Sequence, residues 1–208
     1  MNEAQGKVIT VGVTGASGAL LAQAMLRLLE ADARVAKVHL VVTDAGLRLL
    51  ATELGITAQE PKRLPMQVTG TDAKKIEYVS NRDIGAAIAS GSCPVDAMVV
   101  IPCSAGTLAA IANGMSDDLL SRAADVCLKE SRRLVLCVRE TPLNRIHIEN
   151  MLRAQAAGAV IMPVMPSFYH GPKTIEDLVV QYVYRVLALI GLEQAGQYRW
   201  TGKKLVIE

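Results

Sequence analysis

A chain of 208 residues, 51% hydrophobic and 20% charged, is long enough to bury one core and short for two, so a single domain over residues 1–208 is expected. The formal net charge of +2 is too small for a nucleic-acid footprint, and the one basic concentration, residues 129–139, suits a phosphorylated small molecule. The opening Met1-Asn2-Glu3-Ala4-Gln5-Gly6-Lys7 lacks the apolar stretch of a signal peptide, and no apolar run reaches bilayer length, so a cytoplasmic location with no membrane partner is expected.

In chain order, residues 8–14 read as a buried strand, 18–30 as a helix and 38–43 as a second strand, a βαβ unit. Residues 44–54 read as helical. Residues 55–80, punctuated by Pro61, Pro65 and Gly70, show no regular pattern beyond a short strand near 76–79. Three further apolar runs follow at 97–101, 134–138 and 160–162, alternating with helical pattern, and residues 174–190 form a last helix with Arg185 off its apolar stripe. The alternation predicts an α/β fold with a doubly wound parallel sheet buried on both faces. Mean hydropathy is positive, and homo-oligomerisation would account for the excess apolar surface.

In such sheets ligands bind beyond the carboxyl ends of the strands. Three segments would meet there: Thr14-Gly15-Ala16-Ser17-Gly18, Pro102-Cys103-Ser104-Ala105-Gly106-Thr107 and Arg139-Glu140-Thr141-Pro142-Leu143. The first can make a tight turn and offer the N–H groups of a helix N-terminus to a phosphate or ring carbonyl, or serve simply as a turn. The second has hydroxyls suited to a phosphate, and equally to capping a helix. Arg122 and Lys129 are seven residues apart and share a helical face, which reads as an anion site or as a solvated surface. Residues 166–170 read as a loop presenting the Tyr169 phenol near the crevice, or as a packed aromatic loop.

Several chemistries are disfavoured. A nicotinamide turn starting at Gly15 has Leu21 where its third glycine would stand, although Asp44 follows the second strand as a ribose-binding acid would. Tyr169 and Lys173 have dehydrogenase spacing, but Gly171-Pro172 would break the helix that pair needs. His39, His147 and His170 lack metal-ligand spacing. Ser17 has Gly15 two residues before it but Ala19 two residues after it, where a nucleophile elbow requires its second glycine. The four cysteines, Cys93, Cys103, Cys127 and Cys137, include no Cys-x-x-Cys pair and read as free, mostly buried thiols.

Taken together, Thr14-Gly15-Ala16-Ser17-Gly18, Pro102-Cys103-Ser104-x-x-Thr107-Leu108, Ser121-Arg122-Ala123-Ala124-Asp125-Val126, Leu128-Lys129-Glu130, Val138-Arg139-Glu140-Thr141-Pro142-Leu143 and Pro166-Ser167-Phe168-Tyr169-His170 resemble the UbiX-type flavin prenyltransferases in order and spacing over nearly the whole chain. The resemblance implies a Rossmann-like flavoprotein fold, assembled as a dodecamer with active sites between subunits. It implies metal-independent transfer of a dimethylallyl group from dimethylallyl monophosphate to N5 and C6 of reduced FMN, giving prenylated FMN for UbiD-type decarboxylases. By position, Gly15, Ala16, Ser17, Thr43, Ser104, Ala105, Gly106, Thr107 and Arg139 would hold FMN. Arg122, Lys129, Arg139, Tyr169 and Arg185 would surround the prenyl phosphate. Ser17, Glu140 and Lys129 would carry catalysis, Glu140 with Ser17 in proton transfer.

The chain departs from the family pattern at Ala105-Gly106 and at Thr43-Asp44, losing a positive charge at each. Ile84 stands where some members have an aromatic residue, which bears on donor preference. A flavin-dependent cysteine decarboxylase shares an echo of the 102–107 loop, but its late Pro-x-Met-Asn-x-x-Met-Trp clamp is absent here. A non-catalytic FMN carrier would need the flavin turn but not the cluster of Lys129, Arg139, Tyr169 and Arg185.

Overall fold

The computed structural model describes residues 6–57 and 60–202. Six parallel strands form one sheet: β1 (Lys7–Val13), β2 (Val35–Val42), β3 (Ile76–Ser80), β4 (Ala97–Cys103), β5 (Arg133–Val138) and β6 (Val160–Ile161), in the order β3-β2-β1-β4-β5-β6. That is the doubly wound order of the Rossmann fold, whose switch point lies between β1 and β4. Ile9, Val11 and Val13 of β1 belong to one apolar layer, and Met98, Val100 and Cys103 of β4 to the other. Helices cover both faces, which is why the central strands are near-continuous apolar runs.

The face carrying Ile9 and Val11 is covered by α1 (Ala19–Ala31), α3 (Leu64–Thr69) and α7 (Ile175–Leu189). The opposite face is covered by α4 (Ala105–Ala112), α5 (Leu119–Lys129) and α6 (Arg145–Ala156). Helix α2 (Asp44–Leu54) has the bounds read from the sequence, with Thr43 accepting the Gly46 N–H as its cap.

Its direction could not be read from the sequence. Asp44 follows β2 at the carboxyl edge of the sheet, and Glu53, nine residues on and about 13 Å along a helix, reaches the backbone N–H groups of Gly18 and Ala19 at that same edge. Both ends of α2 therefore lie along the rim. The return to the amino edge is made by a 3-10 turn (Pro61–Arg63) and α3, neither of which had a sequence signal. Helix α3 is tied to α1 where Gln23 donates to the Val68 carbonyl (2.9 Å) and Arg27 to the Thr69 carbonyl (2.9 Å).

A second departure concerns β4, which continues through Pro102 and Cys103, so the loop expected from residue 102 starts two residues later. The β4/β5 register shifts between Val100 and Cys103, the kind of irregularity at which a strand tolerates proline. The Pro102 carbonyl, released from the ladder, accepts from the Thr14 hydroxyl (2.8 Å). The tail at 203–208, like the opening five residues, falls outside the described residues.

Candidate active site at the carboxyl edge

The turn after β1 is shaped by close packing. A Cβ on Gly15 would stand 2.5 Å from the Ala45 Cβ in the first turn of α2, so only glycine lets the two segments meet. Gly18 caps α1 at φ 132°, a conformation that other residues rarely adopt. Having no side chain, Gly18 leaves the α1 N-terminus to an acceptor from elsewhere. Glu53 supplies it, accepting from the Ala19 N–H (2.7 Å) and the Gly18 N–H (3.1 Å), and it lines the same pocket as Ser17.

This corrects the expectation that the α1 N-terminus is open to a ligand phosphate. A carboxylate already sits on that positive helix end, where it is stabilised by the aligned peptide dipoles. Burial would push the Glu53 carboxyl up, but the neighbouring Ser17 hydroxyl, the Ala19 and Gly18 N–H groups and the Arg139 charge together hold it below the ordinary glutamate value. Glu53 is thus an anion at neutral pH, in the same pocket as the exposed Ser17 hydroxyl.

Ser17, Gly18, Glu53 and Arg139 form the polar end of a pocket of about 370 Å³, whose walls include Leu21, Val164, Pro166 and Tyr182. Arg139 is placed by its backbone N–H, which bonds the Cys103 carbonyl (3.0 Å) and carries the β4/β5 pairing one residue past the strand. Tyr182 donates its hydroxyl to the Met162 carbonyl (2.7 Å), pinning the end of the short strand β6 and with it the wall that follows. Thr14 joins the β1 and β4 loops, donating to Pro102 and accepting the Ser104 N–H (2.8 Å).

The other expected residues divide into two groups. Thr43 and Ser104 spend hydroxyl acceptor capacity on capping, Ser104 taking the Thr107 N–H (3.2 Å) and bonding its hydroxyl (3.0 Å). Ala105 is half-buried, and Gly106 is exposed with open space where a Cβ would stand, so no steric demand explains that glycine. Glu140 lines a separate cavity of about 100 Å³ with Arg139, Met151 and Met165, and its carboxylate accepts the Thr141 N–H (3.0 Å). Arg139 thus borders both spaces, while the carboxylate beside Ser17 is Glu53.

Arg122, Lys129, Tyr169 and Arg185 are not among the residues lining the Ser17 pocket within one chain. Arg122 donates to the Ala89 carbonyl (3.1 Å) and pairs with Asp125 (2.7 Å); Lys129 pairs with Glu130 at the end of α5, which leads into the amino end of β5. Tyr169 is 77% exposed and meets Trp200 edge-on at 5.7 Å. Arg185 is exposed on α7. Asp44, considered as a ribose-binding acid, pairs instead with Arg82 (2.7 Å).

Cys103, Cys127 and Cys137 are buried free thiols and Cys93 is half-buried. Burial pushes the Cys103 thiol up, Cys127 to about 11 and Cys137 to about 12, so none of these three is a thiolate at neutral pH. Among the described residues no group of three His, Cys, Asp or Glu side chains could hold a metal ion.

Against known proteins, the model of the Flavoprotein family matches residues 1–186. The flavin prenyltransferase UbiX of Halalkalibacterium halodurans is 45% identical over 93% of this chain and 93% of its own. The crystal structure of AnUbiX (PadA1) in complex with FMN and dimethylallyl pyrophosphate superposes with a TM-score of 0.84 at 42% identity, covering 96% of this chain and 100% of that one. A dodecameric FMN-dependent Ubix-like decarboxylase from Escherichia coli O157:H7 gives a TM-score of 0.84 at 41% identity over 94% of this chain and 100% of its own.

Proposed function

The chain belongs to the Flavoprotein family, among its UbiX flavin prenyltransferases, and from that premise we propose that it joins a dimethylallyl group to N5 and C6 of reduced FMN, using Ser17, Glu53, Arg139 and Glu140, for a UbiD-type decarboxylase. The observation that carries this reading is the Ser17, Glu53 and Arg139 pocket beside the β1/β4 switch point, in a chain 45% identical to a flavin prenyltransferase over 93% of its length.

The residues fit a flavin. Gly15 exposes bare backbone, Ser17 a hydroxyl and Arg139 a cation for the electron-rich edge of the ring, against a largely apolar wall. Gly15, Ala16, Ser17, Thr43, the loop of Ser104, Ala105, Gly106 and Thr107, and Arg139 would hold FMN. When bound, reduced FMN supplies the nucleophilic nitrogen and carbon. Ser17, lining the same pocket as the Glu53 carboxylate, would accept the N–H at N5 and fix that edge of the ring. Glu140 stands across Arg139 as the carboxylate that takes up a proton as the second bond closes.

Breaking an allylic C–O bond puts negative charge on the departing phosphate, which clustered cations stabilise in a site closed to water. Arg139 is one of them. Arg122, Lys129, Tyr169 and Arg185, outside the pocket in one chain, complete the phosphate site from neighbouring copies. The protein is a homo-oligomer, and the dodecamer described for its relative is the assembly proposed here. Large apolar side chains at the surface support it, among them Ile146 and Leu152 at 66% exposure and Ile175 at 70%. Among the described residues no helix is long and apolar enough to cross a membrane; a cytoplasmic location and a single flavin-binding unit over residues 1–208 belong to the same proposal.

Anaerobic incubation with reduced FMN and dimethylallyl monophosphate, followed by mass spectrometry of the released flavin, tests the reading. The expected product carries one added five-carbon unit. Flavin recovered without that unit excludes this reaction for this donor; failure to bind FMN overturns the flavin reading itself.

A further inference from the structure

Between a 3-10 turn (Ala87–Ala89) and β4 the chain runs outside the sheet, and three of its carbonyls are taken up by arginines rather than by a neighbouring strand. Arg122 donates its Nε–H to the Ala89 carbonyl (3.1 Å), while Arg132 donates from Nη2 to the Gly91 carbonyl (2.6 Å) and from Nη1 to the Cys93 carbonyl (2.9 Å). Against Gly91 lies the Lys129–Glu130 ion pair: a Cβ there would stand 2.6 Å from the Lys129 Nζ and closer still to the Glu130 carboxylate. We propose that Arg132 is a positioning residue for the prenyl donor: by fixing Gly91 it fixes the surface on which the Lys129 ammonium rests, and so where that cation meets the donor phosphate. The inference rests on the assignment of Lys129 to that phosphate and deepens it.

The geometry gives each residue a separate part. The planar fork of Arg132 spans two carbonyls two residues apart, which a single ammonium cannot do with the same fixed angle. Gly91 has no left-handed φ that would call for glycine; what its missing side chain provides is room for the Lys129 and Glu130 heads. Lys129, by its direct bond, and Arg132, at longer range, hold the Glu130 carboxyl below the ordinary glutamate value. The cluster thus sets two cations against one carboxylate, and the excess positive charge favours a phosphate. Without Arg132 the remaining pair is neutral, and Glu130 competes undiluted for Lys129. An ammonium carries three N–H donors, so the exposed Lys129 keeps donors for a phosphate while Glu130 orients it.

The test measures KM and kcat for dimethylallyl monophosphate, FMN Kd and Tm in the full-length oligomer, for the parent, Arg132→Met, Arg132→Lys, Gly91→Ala and Lys129→Met. Misplacing one charged hydrogen-bond donor costs about tenfold in affinity, so Arg132→Met and Gly91→Ala should each raise donor KM by about that factor and change FMN Kd less than about twofold. Arg132→Lys, which keeps the charge and can keep one of the two carbonyl bonds, should fall between. In a Lys129→Met background, Arg132→Met should raise donor KM no further, because it acts through Lys129.

Parental donor KM in both Arg132→Met and Gly91→Ala overturns the inference. So does an Arg132→Met effect of the same size with and without Lys129, since the arginine then acts on the fold alone. Should Arg132→Met fail to fold, Gly91→Ala decides: the atoms its methyl meets are the free ends of flexible side chains, so they move while the backbone bonds stay. Parental donor KM in Lys129→Met overturns the phosphate assignment of Lys129 together with this inference, and a parent that forms no five-carbon adduct fails at the proposed function itself.

Discussion

Replacing Glu53 by glutamine separates two roles that meet in one carboxylate. In the parent it accepts from the Ala19 and Gly18 N–H groups and sets a negative charge in the pocket that holds Ser17. A glutamine keeps one acceptor oxygen and turns an NH2 toward donors that cannot receive it. Loss of a helix cap costs about 0.5–2 kcal/mol, and because Glu53 is exposed, solvent screening puts the cost near the lower half of that range. For a chain of this size about 1 kcal/mol lowers Tm by roughly 2–4 °C. The folded-state value lies below the ordinary 4.5, so the charged carboxylate's contribution is full above that ordinary value and is lost as pH falls through the lower folded one. The melting gap between parent and Glu53→Gln should therefore narrow from about pH 7 to about pH 3. Turnover should fall more than stability does, by about a hundredfold in kcat, since the pocket that holds Ser17 and Arg139 loses its carboxylate charge. Differential scanning fluorimetry across pH and anaerobic single-turnover kinetics read the two effects. A gap unchanged in acid would refute the charged-cap argument, and parental turnover would remove Glu53 from the reaction.

Gly15→Ala should cost about 1–3 kcal/mol and weaken FMN binding, because its Cβ would stand 2.5 Å from that of Ala45; Ala45→Gly in the same chain should restore both, as read by melting and flavin titration. Glu140→Gln should retain FMN yet slow prenylation about a hundredfold, and turnover equal to the parent's would exclude it from proton transfer. Tyr169→Phe and Arg185→Ala should raise the donor KM more than the flavin Kd, and loss of FMN at unchanged donor affinity would reverse their assignment.

Much of the fold was legible because its signals are local. The apolar runs at residues 97–101 and 134–138 lie within β4 and β5, and the helical reading of residues 44–54 matches α2. Gly15, Ser17 and Arg139 were found because strand ends in an alternating α/β chain fall at one edge. Glu53 was missed. In sequence it is an acid in the last turn of an amphipathic helix, no different from a solvated one, and only the path of α2 along the rim brings it to the start of α1. Glu140 was paired with Ser17 by the family resemblance; within one chain Glu53 shares the Ser17 pocket, and Glu140 lines the adjoining cavity that Arg139 also borders.

The order of apolar runs, caps and glycines by itself determined a parallel sheet with its site at the carboxyl ends, because backbone hydrogen bonding and side-chain periodicity act over a few residues at a time. Tertiary structure alone decided which carboxylate holds the α1 N-terminus, and that Arg122, Lys129, Tyr169 and Arg185 stand outside the pocket of their own chain. Those outcomes depend on helix direction and on packing between segments far apart in sequence, where no short-range pattern carries the information.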